Sequence, residues 1–162
     1  MAKIATKALN SIYYKARLEC AERNKDMRSR EGTSQYLTMD CTKLARIELG
    51  NITPRADEVL QISSVYNAPE LINYYCKNQC SIGIKYAQNL EVKSLDRLTI
   101  EILATRNDFE KMTEILLNIS EKGSVEEHEK DDFKKYVLNT LNQISKLAQE
   151  TDLWARKTFD RR

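Results

Sequence analysis

The 162 residues carry 31% charged and 41% hydrophobic side chains, with 26 Lys and Arg against 24 Asp and Glu for a net charge of +2. That balance excludes a disordered chain, and no apolar run approaches the ~20 residues that a membrane span requires. Four Gly and two Pro are too few for a fold of short strands and turns, so the class expected is all-α. The charge is uneven. Residues 1–86 hold thirteen basic and nine acidic side chains, and residues 87–162 hold thirteen and fifteen. A basic first half and acidic second half suit nucleic-acid binding followed by assembly, although ordinary scatter of surface charge gives the same numbers. The opening MAKIATKAL lacks the apolar core and cleavage site of a secretory signal, so the location expected is a reducing cytoplasm.

In chain order, residues 10–24 carry Ile12, Tyr13, Ala16 and Cys20 at helical spacing behind Asn10 and Ser11, either of which can cap. Ser29 is the next N-cap and opens a helix ending near Leu37. Asp40 caps the following helix by accepting from its free amides, and Gly50 ends it with a positive φ. Asp57 and Glu58 begin a fourth helix whose apolar face is Val59, Ile62, Val65 and Tyr66, and Asn67 closes it. Pro69 suits the first turn of a fifth. Leu37, Leu44 and Ile47 pin the second and third helices together, and two short helices meeting at a fixed angle are the geometry that sets one helix into a DNA major groove.

Residues 10–76 resemble the Cro/repressor-type (XRE family) helix-turn-helix domain. The residues that carry this are SRE at 29–31, TKLARIELG at 42–50, Pro54 and DEVLQISSVYNAPEL at 57–71. The segment NAPELINYYCKNQCSIG at 67–83 is similar to the end of that domain in regulators with a helical C-terminal extension. The resemblance implies a sequence-specific, DNA-binding transcription regulator with residues 41–49 as its recognition helix. It implies Cys41 and Thr42 at the base edges, Lys43 and Arg46 on a base or a phosphate, and Arg30 on a backbone phosphate. Glu48 is expected to hold a backbone amide or basic side chain instead, because a carboxylate facing phosphates is repelled. Several positions depart from the family, whose first motif helix has a small or apolar pair where this chain has Thr33 and Ser34. Gly32 falls inside the first motif helix at a cost of about 1 kcal/mol relative to Ala. Thr38 stands where the turn has Gly, and forcing a β-branched residue into the left-handed region costs on the order of 1–2 kcal/mol. On that basis Thr38→Gly is expected to raise the melting temperature.

The second half reads as a helical hairpin resembling a coiled coil. Leu95, Leu98, Ile102, Thr105, Phe109, Met112, Leu116 and Ile119 alternate by three and four residues, as do Phe133, Val137, Thr140, Ile144, Leu147, Thr151 and Trp154. Gly123 ends the first helix, and Ser124 with Glu127 forms a capping box for the second. The expected division is a helix-turn-helix domain at 1–83, a linker at 84–93 and the hairpin at 94–158. A hairpin leaves Leu103, Leu117, Leu138, Leu141 and Leu153 partly uncovered, so a homodimer through these helices is expected, which brings two DNA-reading domains together. The other arrangement is a monomer with the hairpin folded onto its own N-terminal domain.

The sequence offers catalysis no foothold. His128 lies in a Glu/Lys-rich turn, and there is no phosphate-cradling loop, nucleophile elbow or His/Cys cluster. The pairs Glu126-Glu127 and Asp131-Asp132 oppose the dipole at helix starts. Cys20, Cys41, Cys76 and Cys80 are expected to pack as small apolar residues rather than to bind zinc or act as a redox pair. One tyrosine of each pair, Tyr13-Tyr14 and Tyr74-Tyr75, belongs to the core and the other to its boundary. No enzyme activity and no cofactor are expected. The alternative function is a protein-interaction module whose degenerate helix-turn-helix does not read DNA.

Overall fold

The computed structural model describes residues 8–159, and every regular element among them is helical. No helix of the described residues is long and apolar enough to cross a membrane. The described residues divide into two compact units, residues 8–89 with 157–159, and residues 90–156.

In the first unit, α1 (Ile12–Ala21) starts where the Ser11 hydroxyl accepts the Tyr14 N–H at 3.4 Å. A 3₁₀ turn (Lys25–Arg28) follows and buries Met27. The next helix, α2 (Arg30–Ser34), is a single turn capped by Ser29, whose Oγ accepts the Gly32 N–H at 2.9 Å. It stops short of Leu37, which is buried in the connecting segment. Gly32 has a steric reason. A Cβ there would stand 2.2 Å from the carbonyl oxygen of Asp26, so only glycine lets the 3₁₀ turn press onto α2.

Asp40 caps α3 (Cys41–Glu48) by accepting the Lys43 N–H at 2.7 Å. Gly50, at φ 72°, ends it and sends the N–H groups of Asn51 and Ile52 back to the Arg46 carbonyl at 2.8 and 3.3 Å. The Arg55 N–H donates to Glu58 at 2.9 Å to open α4 (Ala56–Tyr66), which Asn67 closes at φ 51°. After Pro69 comes α5 (Glu70–Asn78), and then α6 (Ser81–Tyr86), a helix that the sequence pattern did not signal and that runs into the expected linker. These two pack so closely that a Cβ on Gly83 would lie 2.1 Å from the Cys76 carbonyl oxygen. Leu44, Ile47, Val59, Ile62, Tyr66 and Leu71 are fully buried and join α3, α4 and α5 into one core. Each such side chain contributes roughly 1.5–3 kcal/mol.

The α2–α3 connection differs from the expectation for Thr38. Among the described residues other than glycine, only Asn67 has a positive φ, so Thr38 is not forced into the left-handed region. Its N–H and hydroxyl both donate to Oε1 of Gln61 on α4, at 3.2 and 2.7 Å. The turn is therefore held by an amide clamp from another helix, and the stabilisation expected of glycine loses its basis.

In the second unit, α7 (Leu95–Ala104) and α8 (Arg106–Lys122) stand where one uninterrupted helix was expected. The break is Thr105. Its hydroxyl and its N–H both bond the Ile102 carbonyl, at 2.7 and 3.2 Å, which tightens one turn before the Phe109 N–H resumes the α pattern on Thr105 at 2.9 Å. Gly123, at φ 79°, ends α8. The capping box then falls at Glu126 and Glu129, two residues beyond the expected pair, with the Glu126 N–H on Glu129 at 3.0 Å. A 3₁₀ turn (Glu127–Glu129) leads to α9 (Lys130–Asp132), a π-helical segment (Phe133–Leu138) packed against α8, and α10 (Asn139–Phe159).

The heptad seam of α7 and α8 divides into two lines. Leu98, Thr105 and Met112 are buried, whereas Leu95, Ile102, Phe109 and Leu116, which share their seven-residue period, are exposed. Leu103, Leu117, Leu138 and Leu141 are exposed too, but Leu153 is buried. A charged cluster fixes the register of this unit. The carboxylate of Glu150, wholly inaccessible, accepts the Glu91 N–H at 3.0 Å and the Lys93 ammonium at 2.8 Å, and Lys93 also reaches Glu101 at 2.6 Å.

Thr38→Gly is now expected to lower the melting temperature, because it removes the hydroxyl bond to Gln61 and frees the unfolded backbone, a combined cost of about 1–2 kcal/mol. Differential scanning calorimetry checks the sign. Lys93→Met leaves the Glu150 carboxylate buried without its near cation, and should cost about 3–5 kcal/mol in urea unfolding of this unit.

Candidate nucleic-acid interface

The five residues singled out for DNA contact lie on two adjoining helices, Arg30 on α2 and Cys41, Thr42, Lys43 and Arg46 on α3. Leu44, Ile47 and Glu48 form the buried face of α3, which leaves Thr42 and Arg46, one turn apart, as its exposed edge. Cys41, Lys43 and Ala45 are half-buried on either side.

What holds α3 in place is an ion cluster centred on Glu48, whose carboxylate is wholly inaccessible. Arg17 of α1, itself only 3% exposed, donates from Nε to Oε1 at 2.5 Å and from Nη2 to Oε2 at 3.2 Å. Its Nη1 satisfies the carbonyls of Met27 and Arg28 at 2.8 and 3.1 Å. Arg30 donates from Nε to Oε2 of Glu48 at 2.7 Å. One carboxylate thus ties α1, the 3₁₀ turn, α2 and α3 together. Burial acts against the charged Arg17 guanidinium, but its hydrogen bond and attraction to Glu48 outweigh this and raise its pKa.

The basic side chains expected to meet DNA are differently engaged. Arg30 is committed to Glu48 and keeps a partly exposed edge. The Lys43 ammonium is hydrogen-bonded to Glu58. Burial tends to raise the Glu58 pKa, but the bonds from Lys43 and from the Arg55 N–H outweigh that and lower it. The Arg55 guanidinium pairs with Asp57 at 3.1 Å. Lys25, Arg28 and Arg46 have no ion-pair partner among the described residues, so Arg46 is the free cation on the exposed edge of α3. Residues 25–58 hold six basic and six acidic side chains in all.

Two residues that position this surface were missed in the sequence. Arg17 falls at the spacing of Tyr13, Ala16 and Cys20, which marks it as lying on the buried stripe of α1, and a charge on that stripe signals an internal partner. Gln61 gave no such signal, since its role depends on the place of Thr38 in the folded chain.

The cysteines are free thiols: Cys20 is buried with Sγ 3.7 Å from the Val65 carbonyl oxygen, and Cys80 accepts the Gly83 N–H at 3.5 Å. No group of three or more His, Cys, Asp or Glu side chains among the described residues is placed to hold a metal ion. Tyr13 is core, its ring edge-on to Tyr74 at 6.0 Å and its hydroxyl donating to Gln79 at 2.8 Å. Tyr14, Tyr74 and Tyr75 are half-buried.

Glu48→Ala strands Arg17 as a buried cation and should destabilise the first unit by about 3–5 kcal/mol. Arg46→Ala, on the exposed edge, should change stability by no more than about 0.5 kcal/mol. Parallel urea titrations followed by circular dichroism separate the two effects. No family model, curated protein or solved structure matches this chain.

Proposed function

We propose that this chain is a sequence-specific DNA-binding transcription regulator of the Cro/repressor (XRE) type, acting as a homodimer with α3 in the major groove. The observation that carries the reading is the division of α3. One face is locked by Leu44, Ile47 and the Glu48 cluster, and the opposite edge offers Thr42 and Arg46 to solvent. Short helices that enter a groove need such rigid seating, because base edges are read by a few side chains whose positions the rest of the fold fixes. Thr42 and Cys41 would face bases, and Arg46 a base or a phosphate. Lys43 would reach DNA by leaving Glu58. Arg30 would contact a phosphate with the part of its guanidinium that Glu48 leaves free. Two copies would place their α3 helices about one helical turn of DNA apart, near 34 Å.

The balance of charge favours a second reading. Six acidic side chains offset six basic ones over residues 25–58, and three of those cations pair with carboxylates. An interaction module that presents α3 to another protein would tolerate this balance better than a strong phosphate binder would.

Fluorescence anisotropy with a labelled duplex of random sequence, titrated across salt concentrations, tests the choice. The expected result is an affinity that falls as salt rises. Arg46→Ala should weaken binding and, if the contact is to phosphate, reduce the salt slope by about one. Absent or salt-insensitive binding, with Arg46→Ala behaving like the parent chain, would overturn the regulator and favour the interaction module.

A further inference from the structure

Three carboxylates hold cations on and around α3, and they hold them unequally. Glu48, wholly inaccessible, binds Arg30 with a carboxylate that also carries the buried Arg17, so this bond belongs to the core and stays made. Asp57 and Arg55 are both largely exposed, and a pair open to water on both sides contributes little. Glu58 lies between these extremes, its side chain 14% exposed and that of Lys43 37%. From this arrangement we infer that Glu58 is an internal competitor with duplex phosphate for the Lys43 ammonium, and so lowers the affinity of the chain for DNA of any sequence. This rests on the regulator reading and deepens it, since it names a residue that restrains the same surface.

Glu58 keeps its place when Lys43 leaves. Its Oε1 accepts from Lys43 Nζ, while its Oε2 accepts the Arg55 N–H at 2.9 Å. The second bond ties the carboxylate to the start of α4, where the helix dipole also favours a negative charge. The Lys43 main chain is fixed as well, its N–H on Asp40 at 2.7 Å. What can move is the flexible stem of Lys43, ending in a compact ammonium that either a carboxylate or a phosphate can hold.

A cation that meets a phosphate releases condensed counterions from the duplex, and this release supplies the sequence-independent affinity. Lys43 contributes to it only after its own pair opens. Held on Glu58, it is silent. The exchange leaves the rest of the surface in place, because Leu44, Ile47 and Glu48 seat α3 from behind while Thr42 and Arg46 stay on the exposed edge.

The experiment compares the full-length parent with Glu58→Gln, Lys43→Met and the double variant, by fluorescence anisotropy on a labelled duplex of random sequence at several salt concentrations. Glutamine still accepts the Arg55 N–H, so α4 keeps its cap, and circular dichroism melts check that each variant is folded. Glu58→Gln should bind about three- to fivefold more tightly than the parent at low salt, with a salt slope steeper by about one. In the Lys43→Met background the gain from Glu58→Gln should fall below about twofold, the remainder being general repulsion of phosphates by a carboxylate. A gain as large in that background would overturn the competitor, because repulsion alone would then account for it. Should the parent bind in a salt-sensitive way while Glu58→Gln changes neither affinity nor slope, the competitor falls and the regulator stands. If none of the chains binds duplex, both fall.

Discussion

The first unit depends on one buried carboxylate. Glu48 sits on the inner face of α3 among apolar side chains, where an unpaired charge would cost several kcal/mol, and two guanidinium groups from elements earlier in the chain meet it there. Apolar packing alone would hold α3 to the core with some freedom to rotate or slide. The bidentate Arg17 bond, together with the two carbonyls that the same guanidinium satisfies, allows one setting. A cluster of this kind contributes less to net stability than to the choice of a single arrangement. Fine positioning of α3 is also what groove reading would demand.

The second unit solves a similar problem by the same means. Glu150 gathers a backbone amide and an ammonium from residues 91–93, chain that has no regular structure of its own. In both units a long-range charge fixes how segments distant in sequence meet, while heptad and core residues supply the apolar area. Long helices with repeating apolar stripes can slide by a turn at little loss, so a single unique contact gives them their register.

Much of the local structure was legible in the sequence because its causes are local. Ser11, Ser29 and Asp40 cap as expected, and Gly50, Asn67 and Gly123 take positive φ where helices end. Each needs only a short polar side chain, or a tolerance for the left-handed region, within four residues of the helix end. What could not be read depends on neighbours remote in sequence. Thr38 looked strained until Gln61 was placed beside it, and Gly32 looked costly until Asp26 closed over it. The heptad pattern located the stripe but not the line within it that is covered, and it passed over the break at Thr105. At the site, the pattern selected the outward residues of α3, and a structural role for Glu48, holding a backbone amide or a basic side chain, was anticipated. The identity of that partner, and the carboxylates that engage Arg30 and Lys43, emerged only in three dimensions.

Arg46 divides its labour between main chain and side chain. Its carbonyl closes the end of α3 by accepting from Asn51 and Ile52, a duty that does not depend on the side chain, while its side chain projects outward and takes no part in the core. Natural variation can therefore exchange the group at this corner without renegotiating how the helices assemble. The chemistry presented at this corner can change while the architecture stays the same.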